Sequence, residues 1–170
     1  MTAYVALLRA VNVGGTGKLP MTELKRLCEE AGFAKVKTYI ASGNVVFTAD
    51  LSEPEVKKKL EASLQNFAGK AVGVFVRTAS EMADVVRANP FDDQPGNRVT
   101  AFFLDMHPPD DVAASAKGRA DEEIAPGKRE IYVFFPSGMA DSKLRIPSAG
   151  EGTARNMNTS AKLAELAAAL

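Results

Sequence analysis

Three short segments carry residue types from which an anion site can be built. The first is Asn12-Val-Gly-Gly-Thr-Gly-Lys18, which follows the apolar run Tyr4-Val-Ala-Leu-Leu and Arg9. A glycine-rich connection exposes main-chain N–H groups, and a following helix adds partial positive charge, so phosphate is the ligand class it suits. The second is Ser42-Gly43-Asn44, whose composition fits a tight turn with positive φ. The third is Gly152-Thr-Ala-Arg-Asn-Met-Asn-Thr159. Its asparagines and threonines suit a helix cap, while Arg155, with Lys143 and Arg145 upstream, can hold an anion at a helix N-terminus. The candidate contacts are Arg9, Asn12, Gly14, Gly15, Lys18, Ser42, Asn44, Arg155, Asn156, Asn158 and Thr159. Each segment also has a purely structural reading, as connection, turn or cap.

Familiar nucleotide motifs are excluded by spacing. The Walker pattern needs a glycine five residues before Gly17 and a hydroxyl after Lys18; Asn12 and Leu19 stand there instead. Glycines at 14, 15 and 17 also miss the dinucleotide fingerprint. Catalytic groups are thin. His107 is the one histidine and Cys28 the one cysteine, too few for a zinc site without several carboxylates, so no metal and no cofactor is expected. Cys28 falls on the apolar side of a helix and reads as packing. No nucleophile elbow accompanies His107. The pairs Asp92-Asp93, Asp110-Asp111 and Glu122-Glu123 are adjacent residues that point apart on extended chain, and they read as solvated rather than as acid–base dyads. Tyr39, Phe47, Phe75, Phe102, Tyr132 and Phe134 could stack RNA bases, but the RNA-recognition signature is absent and core packing is the simpler reading.

The elements that must position these segments follow from periodicity. Tyr4–Arg9 reads as a buried strand, and Pro20 opens a helix with Met21, Leu24, Leu27, Cys28 and Ala31 on one side. Gly32 suits a left-handed C-terminal stop, with Phe33 folding back. Val36–Ile40 and Val45–Phe47 form a hairpin around the Ser42 turn. Ser52 and Glu55 pair as a capping box before a helix whose apolar side is Val56, Leu60, Leu64 and Phe67. Val72, Val74 and Val76 alternate as a strand, giving the order βαββαβ. A third helix, capped by Thr78 with Glu81, stops near Asn89-Pro90. Beyond it, Val99–Leu104 and a hairpin of Glu123–Ala125 with Arg129–Phe135 are expected. Weaker helices are expected over Asp110–Lys117 and Met139–Leu144, and a last helix starts near Asn156–Asn158. The fold class is α+β: two ferredoxin-like, βαββαβ-type subdomains, each an antiparallel sheet with helices on one face. The boundaries read as 1–88, a connector at 89–98, and 99–170.

Composition sets the outer limits. The 170 residues are 46% hydrophobic and 25% charged, enough for a packed core. Lysine plus arginine and aspartate plus glutamate each number 21, so there is no general basic footprint for nucleic acid. The ends are basic, +2 over residues 1–35 (5 against 3) and +1 over 139–170 (4 against 3), and the middle is −3. A single cysteine suits a reducing compartment, Ala3–Leu8 is too short for a signal peptide, and no run is long enough to span a bilayer. A soluble, cytoplasmic protein with no membrane contact is expected.

Taken in order, Tyr4–Gly15 with Lys18–Met21, Thr38–Phe47, and Thr153–Thr159 with Lys162-Leu163 resemble the bacterial family called domain of unknown function 1697. The resemblance implies two ferredoxin-like subdomains and matches at Arg9, Asn12, Gly14, Gly15, Ser42, Gly43, Asn44, Arg155, Asn156, Asn158 and Thr159. Met157 stands where the family often has tryptophan. No activity comes with the name. Three functions compete: a binding module for a phosphate-bearing small molecule, nucleotide or nucleic-acid end; a metal-independent enzyme using Arg9, Lys18 or Arg155 against developing negative charge; and a protein-interaction or oligomerisation domain.

Overall fold

Eight strands and four helices divide between two units in the computed structural model, which describes residues 1–9, 18–150 and 152–170. One unit is Met1–Ala83 with Leu163–Leu170; the other is Asp84–Lys162. The architecture is mixed α+β with two four-stranded antiparallel sheets.

The first unit runs β1 (Thr2–Leu8), α1 (Met21–Glu30), β2 (Ala34–Thr38), β3 (Asn44–Ala49), α2 (Glu53–Ala68) and β4 (Val74–Thr78), and α3 (Ala79–Arg87) starts directly afterwards. Its sheet order is β2-β3-β1-β4, so β1 lies inside and pairs with β3 and β4. Tyr4, Ala6 and Leu8 share a core with Leu24, Leu27 and Cys28 of α1 and Val56, Leu60 and Leu64 of α2. The alternate residues Val5, Leu7, Val46, Phe75 and Arg77 are buried as well. With both sets of alternate residues buried, β1 reads as a continuous apolar run rather than an alternation.

Local chemistry explains the element ends. Gly32 takes φ 92°. Its N–H donates to Glu29 O at 3.0 Å and that of Phe33 to Cys28 O at 3.1 Å, the two bonds of a Schellman stop. Phe33 then stacks on Phe47 at 4.3 Å between ring centroids. Ser52 caps α2 by accepting from Glu55 N–H, and Thr78 and Glu81 exchange bonds of 3.1 and 2.9 Å at the start of α3. Phe67, expected on the buried side of α2, is 41% exposed, because the buried series ends at Leu64.

The second unit holds β5 (Val99–Phe103), β6 (Glu123–Pro126), β7 (Glu130–Phe134), β8 (Thr153–Asn156) and the start of α4 (Met157–Ala168). Its order, β6-β7-β5-β8, repeats the pattern of the first sheet. The two helices expected between its strands are absent. Residues 110–115 form turns, and Met139–Leu144 is a bend closed by one bond from Ser142 N–H to Met139 O. Lys117 is instead drawn into a bridge with Arg145, which an α-helix through 117 would forbid. Strand β8 stands where the sequence reads as loop and helix cap; four residues with one β-branched side chain leave too short a pattern to detect.

Candidate functional site

The C-terminal end of β1 gathers several of the candidate residues. Leu7 pairs with Asn44, and Leu8 with Val74 on the other side. One residue on, Leu8 N–H donates to Gly43 O at 2.9 Å and Arg9 N–H to Gly73 O at 2.9 Å. The chain thus leaves the sheet between the Ser42–Asn44 turn and Gly73. Arg9 is exposed, yet its stem lies along Gly73: a Cβ there would stand 3.5 Å from Arg9 Cβ and 3.7 Å from Arg9 Cδ.

Asn44 organises the turn. It is fully buried, and its Nδ2 donates to Tyr39 O at 3.0 Å and to Ser42 Oγ at 2.8 Å. Tyr39 N–H returns a bond to Asn44 O at 3.0 Å. Ser42 Oγ thus serves as an acceptor that ties the turn to the buried amide. Gly43 has φ 88°, and Ile40 takes φ 50° while 51% exposed. A β-branched residue at positive φ is strained, and such outliers concentrate at ligand sites. Lys18 is exposed beside buried Leu19. Asn12, Gly14 and Gly15 lie outside the described residues.

The third segment belongs to the second unit. Asn156 is the cap of α4: its Oδ1 accepts from Thr159 N–H at 2.8 Å, and its carbonyl accepts from Ser160 Oγ at 3.0 Å. Arg155 is buried at 8% exposure, and its Nη1 donates to Thr153 Oγ1 and Ala154 O, both at 2.8 Å. Burial lowers its pKa to about 10. Asn158 is exposed and lies over Gly96, where a Cβ would come within 2.1 Å of its Oδ1.

Other groups are settled by packing. Cys28 is fully buried, and burial pushes its thiol up to about 12. His107 is exposed, with Nδ1 2.8 Å from Lys128 O and Nε2 3.5 Å from Asp110. Phe47, Phe75, Tyr132 and Phe134 are buried, so they are core rather than a base-stacking surface. Tyr132 donates its hydroxyl to Val85 O at 2.6 Å, and its pKa is raised by burial. Among the described residues, no three His, Cys, Asp or Glu are grouped to hold a metal.

One carboxylate departs from the sequence reading. Glu122 is buried, whereas its neighbour Glu123 is exposed as expected. Glu122 accepts from Ser142 Oγ and from Ala120 N–H at 2.6 Å, and these bonds, Ser142 first, hold its carboxyl below the usual range. It lines an acidic cleft of about 570 Å³ with Asp121 and Asp141, in which Ser137 Oγ bonds Asp121. Ser142, twenty residues away, gave no signal in the sequence. Glu122 thereby ties residues 120–122 to Ser142, and Asp121 ties them to Ser137.

A family pattern described as protein of unknown function, DUF1697, matches residues 1–132. The chain belongs to this family. The matched region covers the Arg9 and Ser42–Asn44 segments and stops before Thr153. The solved structure of a conserved bacterial protein from Streptococcus pneumoniae is similar at 24% identity over 98% of each chain, with a TM-score of 0.79, a likeness of fold. Comparison with curated proteins finds no match. Among the described residues of this DUF1697 chain, no helix is long and apolar enough to cross a membrane.

Proposed function

We propose that this DUF1697 chain is a binding module for a phosphate-bearing small molecule or nucleotide, with the site at the end of β1. Arg9, Lys18, Ser42 and Asn44 form or frame it, together with the Asn12–Gly17 segment. The observation that carries the reading is the double anchoring of the strand end. Bonds to Gly43 and Gly73 fix the backbone at Leu8 and Arg9, so the exposed Arg9 side chain starts from a rigid point next to the Ser42–Asn44 turn. A preorganised cation with nearby donors costs little to order when an anion arrives. The strained Ile40 in the adjoining turn supports the same reading.

Arg155, Asn156, Asn158 and Thr159 receive a structural reading here. The Asn156 side chain is used by the cap, and Arg155 is turned onto Thr153 and Ala154. We also read the sheet order β2-β3-β1-β4, with two intervening helices, as a ferredoxin-like arrangement.

A thermal-shift screen with nucleotides and sugar phosphates tests the proposal. Stabilisation is expected for at least one phosphate ligand. Arg9→Ala should weaken that ligand by roughly tenfold or more, the scale of a charged hydrogen bond. No shift with any phosphate ligand would sink the reading.

A further inference from the structure

The second unit carries an open cleft of about 540 Å³, a size suited to a small ligand. Its walls are apolar: Phe102, Phe135, Met139, Leu144, Ile146 and Pro147. Two cations, Lys117 and Arg145, and the Ser142 hydroxyl group also line it.

Their placement is fixed by the main chain. Lys117 N–H donates to Arg145 O at 2.8 Å and Arg145 N–H to Lys117 O at 2.7 Å. This is a hydrogen-bonded antiparallel pair, whose two side chains leave the same face with Cα atoms roughly 5.5 Å apart. The approach is tight: Gly118 has φ +67°, and a Cβ there would lie 2.2 Å from Lys143 O.

Like charges directly opposite each other destabilise a strand pair. Both side chains are exposed, and neither makes a hydrogen bond or ion pair among the described residues. Two adjacent cations beside an apolar wall suit one ligand chemistry. The anionic head would offset their repulsion, and the apolar body would cover the aromatic and methionine surface.

We propose that this cleft binds a small amphipathic carboxylate, its head between Lys117 and Arg145 and its apolar body against Phe102, Met139 and Leu144. The site lies within the second unit and does not depend on the phosphate reading of the β1 end.

The test is displacement of anilinonaphthalene sulfonate fluorescence from the whole chain by decanoate, with decanol as the uncharged comparison. Decanoate should displace the dye. Decanol should be at least about tenfold weaker, reflecting charged hydrogen bonds it cannot make. The double variant Lys117→Gln, Arg145→Gln should lose about tenfold in decanoate affinity, and each single variant part of that. Both positions are exposed, so folding is expected to survive, and circular dichroism verifies it. Met139→Gln, at a half-exposed wall position, should weaken decanoate and decanol alike. Arg9→Ala should leave decanoate binding unchanged. Equal binding of decanol and decanoate, unchanged affinity in the charge variants, or no displacement at millimolar decanoate would overturn the assignment.

Discussion

Replacing Asn44 by alanine is the sharpest perturbation of the β1 end. The wild-type amide is fully buried and donates to Tyr39 O and Ser42 Oγ. Each bond is worth about 1 kcal/mol net, and leaving the half-buried Tyr39 carbonyl without this partner adds about 1–2 kcal/mol. Ser42 is half-buried and recovers part of its loss from water. The sum is a destabilisation of about 2–4 kcal/mol. Asn44→Asp nearly preserves volume but sets a carboxylate against two oxygen acceptors. It should cost more than alanine at pH 7, because burial and lost donors raise the new carboxyl's pKa. A raised acid contributes stability below its unfolded value near 3.9 and loses it as pH rises. The gap between the two variants should therefore close as pH falls towards 4. Urea denaturation followed by tyrosine fluorescence and by circular dichroism measures both. An alanine cost under about 0.5 kcal/mol, or an aspartate variant no worse than alanine at pH 7, would refute this reasoning.

Three further outcomes follow from the structure. Asn156→Ala should cost about 1 kcal/mol by removing the cap of α4, and Asn156→Asp should retain most of it; urea midpoints report both. Gly118→Ala should cost about 2 kcal/mol more than Gly69→Ala, since both glycines have positive φ but only Gly118 faces an atom, Lys143 O at 2.2 Å. Equal losses would mean the Lys143 approach relaxes freely. Cys28 is neutral in the fold, with a thiol at about 12 instead of its ordinary 9.0. Its contribution is whole below pH 9 and is lost as pH rises from 9 towards 12. Cys28→Ala should accordingly flatten the fall of stability between pH 8 and about 10.5, and native wild type should resist thiol reagents until denaturant is added.

The first unit was legible because its signals are local and mutually consistent. The glycine stop at Gly32, the boxes at Ser52 and Thr78, and the core-facing Val74 and Val76 of β4 each fix an element without long-range help, although Val72, expected in the same strand, precedes it. The second unit hid more. The turns at 110–115 and 139–144 contain residues compatible with helix, and the deciding contact, Lys117 with Arg145, spans a long stretch of chain. Strand β8 is polar at Thr153, Arg155 and Asn156, so its pairing with β5 left no hydrophobic pattern. Asn156 was legible as a cap. The buried setting of Arg155 was not, because its partner Thr153 lies within the same short strand. The apolar cleft beside Lys117 was invisible for the same reason as the bridge that shapes it.

The central claim is that the end of β1 receives a phosphate-bearing anion. An amide-resolved NMR titration with pyrophosphate, run on wild type and on Arg9→Ala, addresses it directly. Saturable shifts are predicted at Leu8, Arg9 and Ser42–Asn44, with the apparent affinity reduced roughly tenfold or more in Arg9→Ala. Shifts that do not saturate, that fall elsewhere on the chain, or that persist unchanged in Arg9→Ala would contradict the claim.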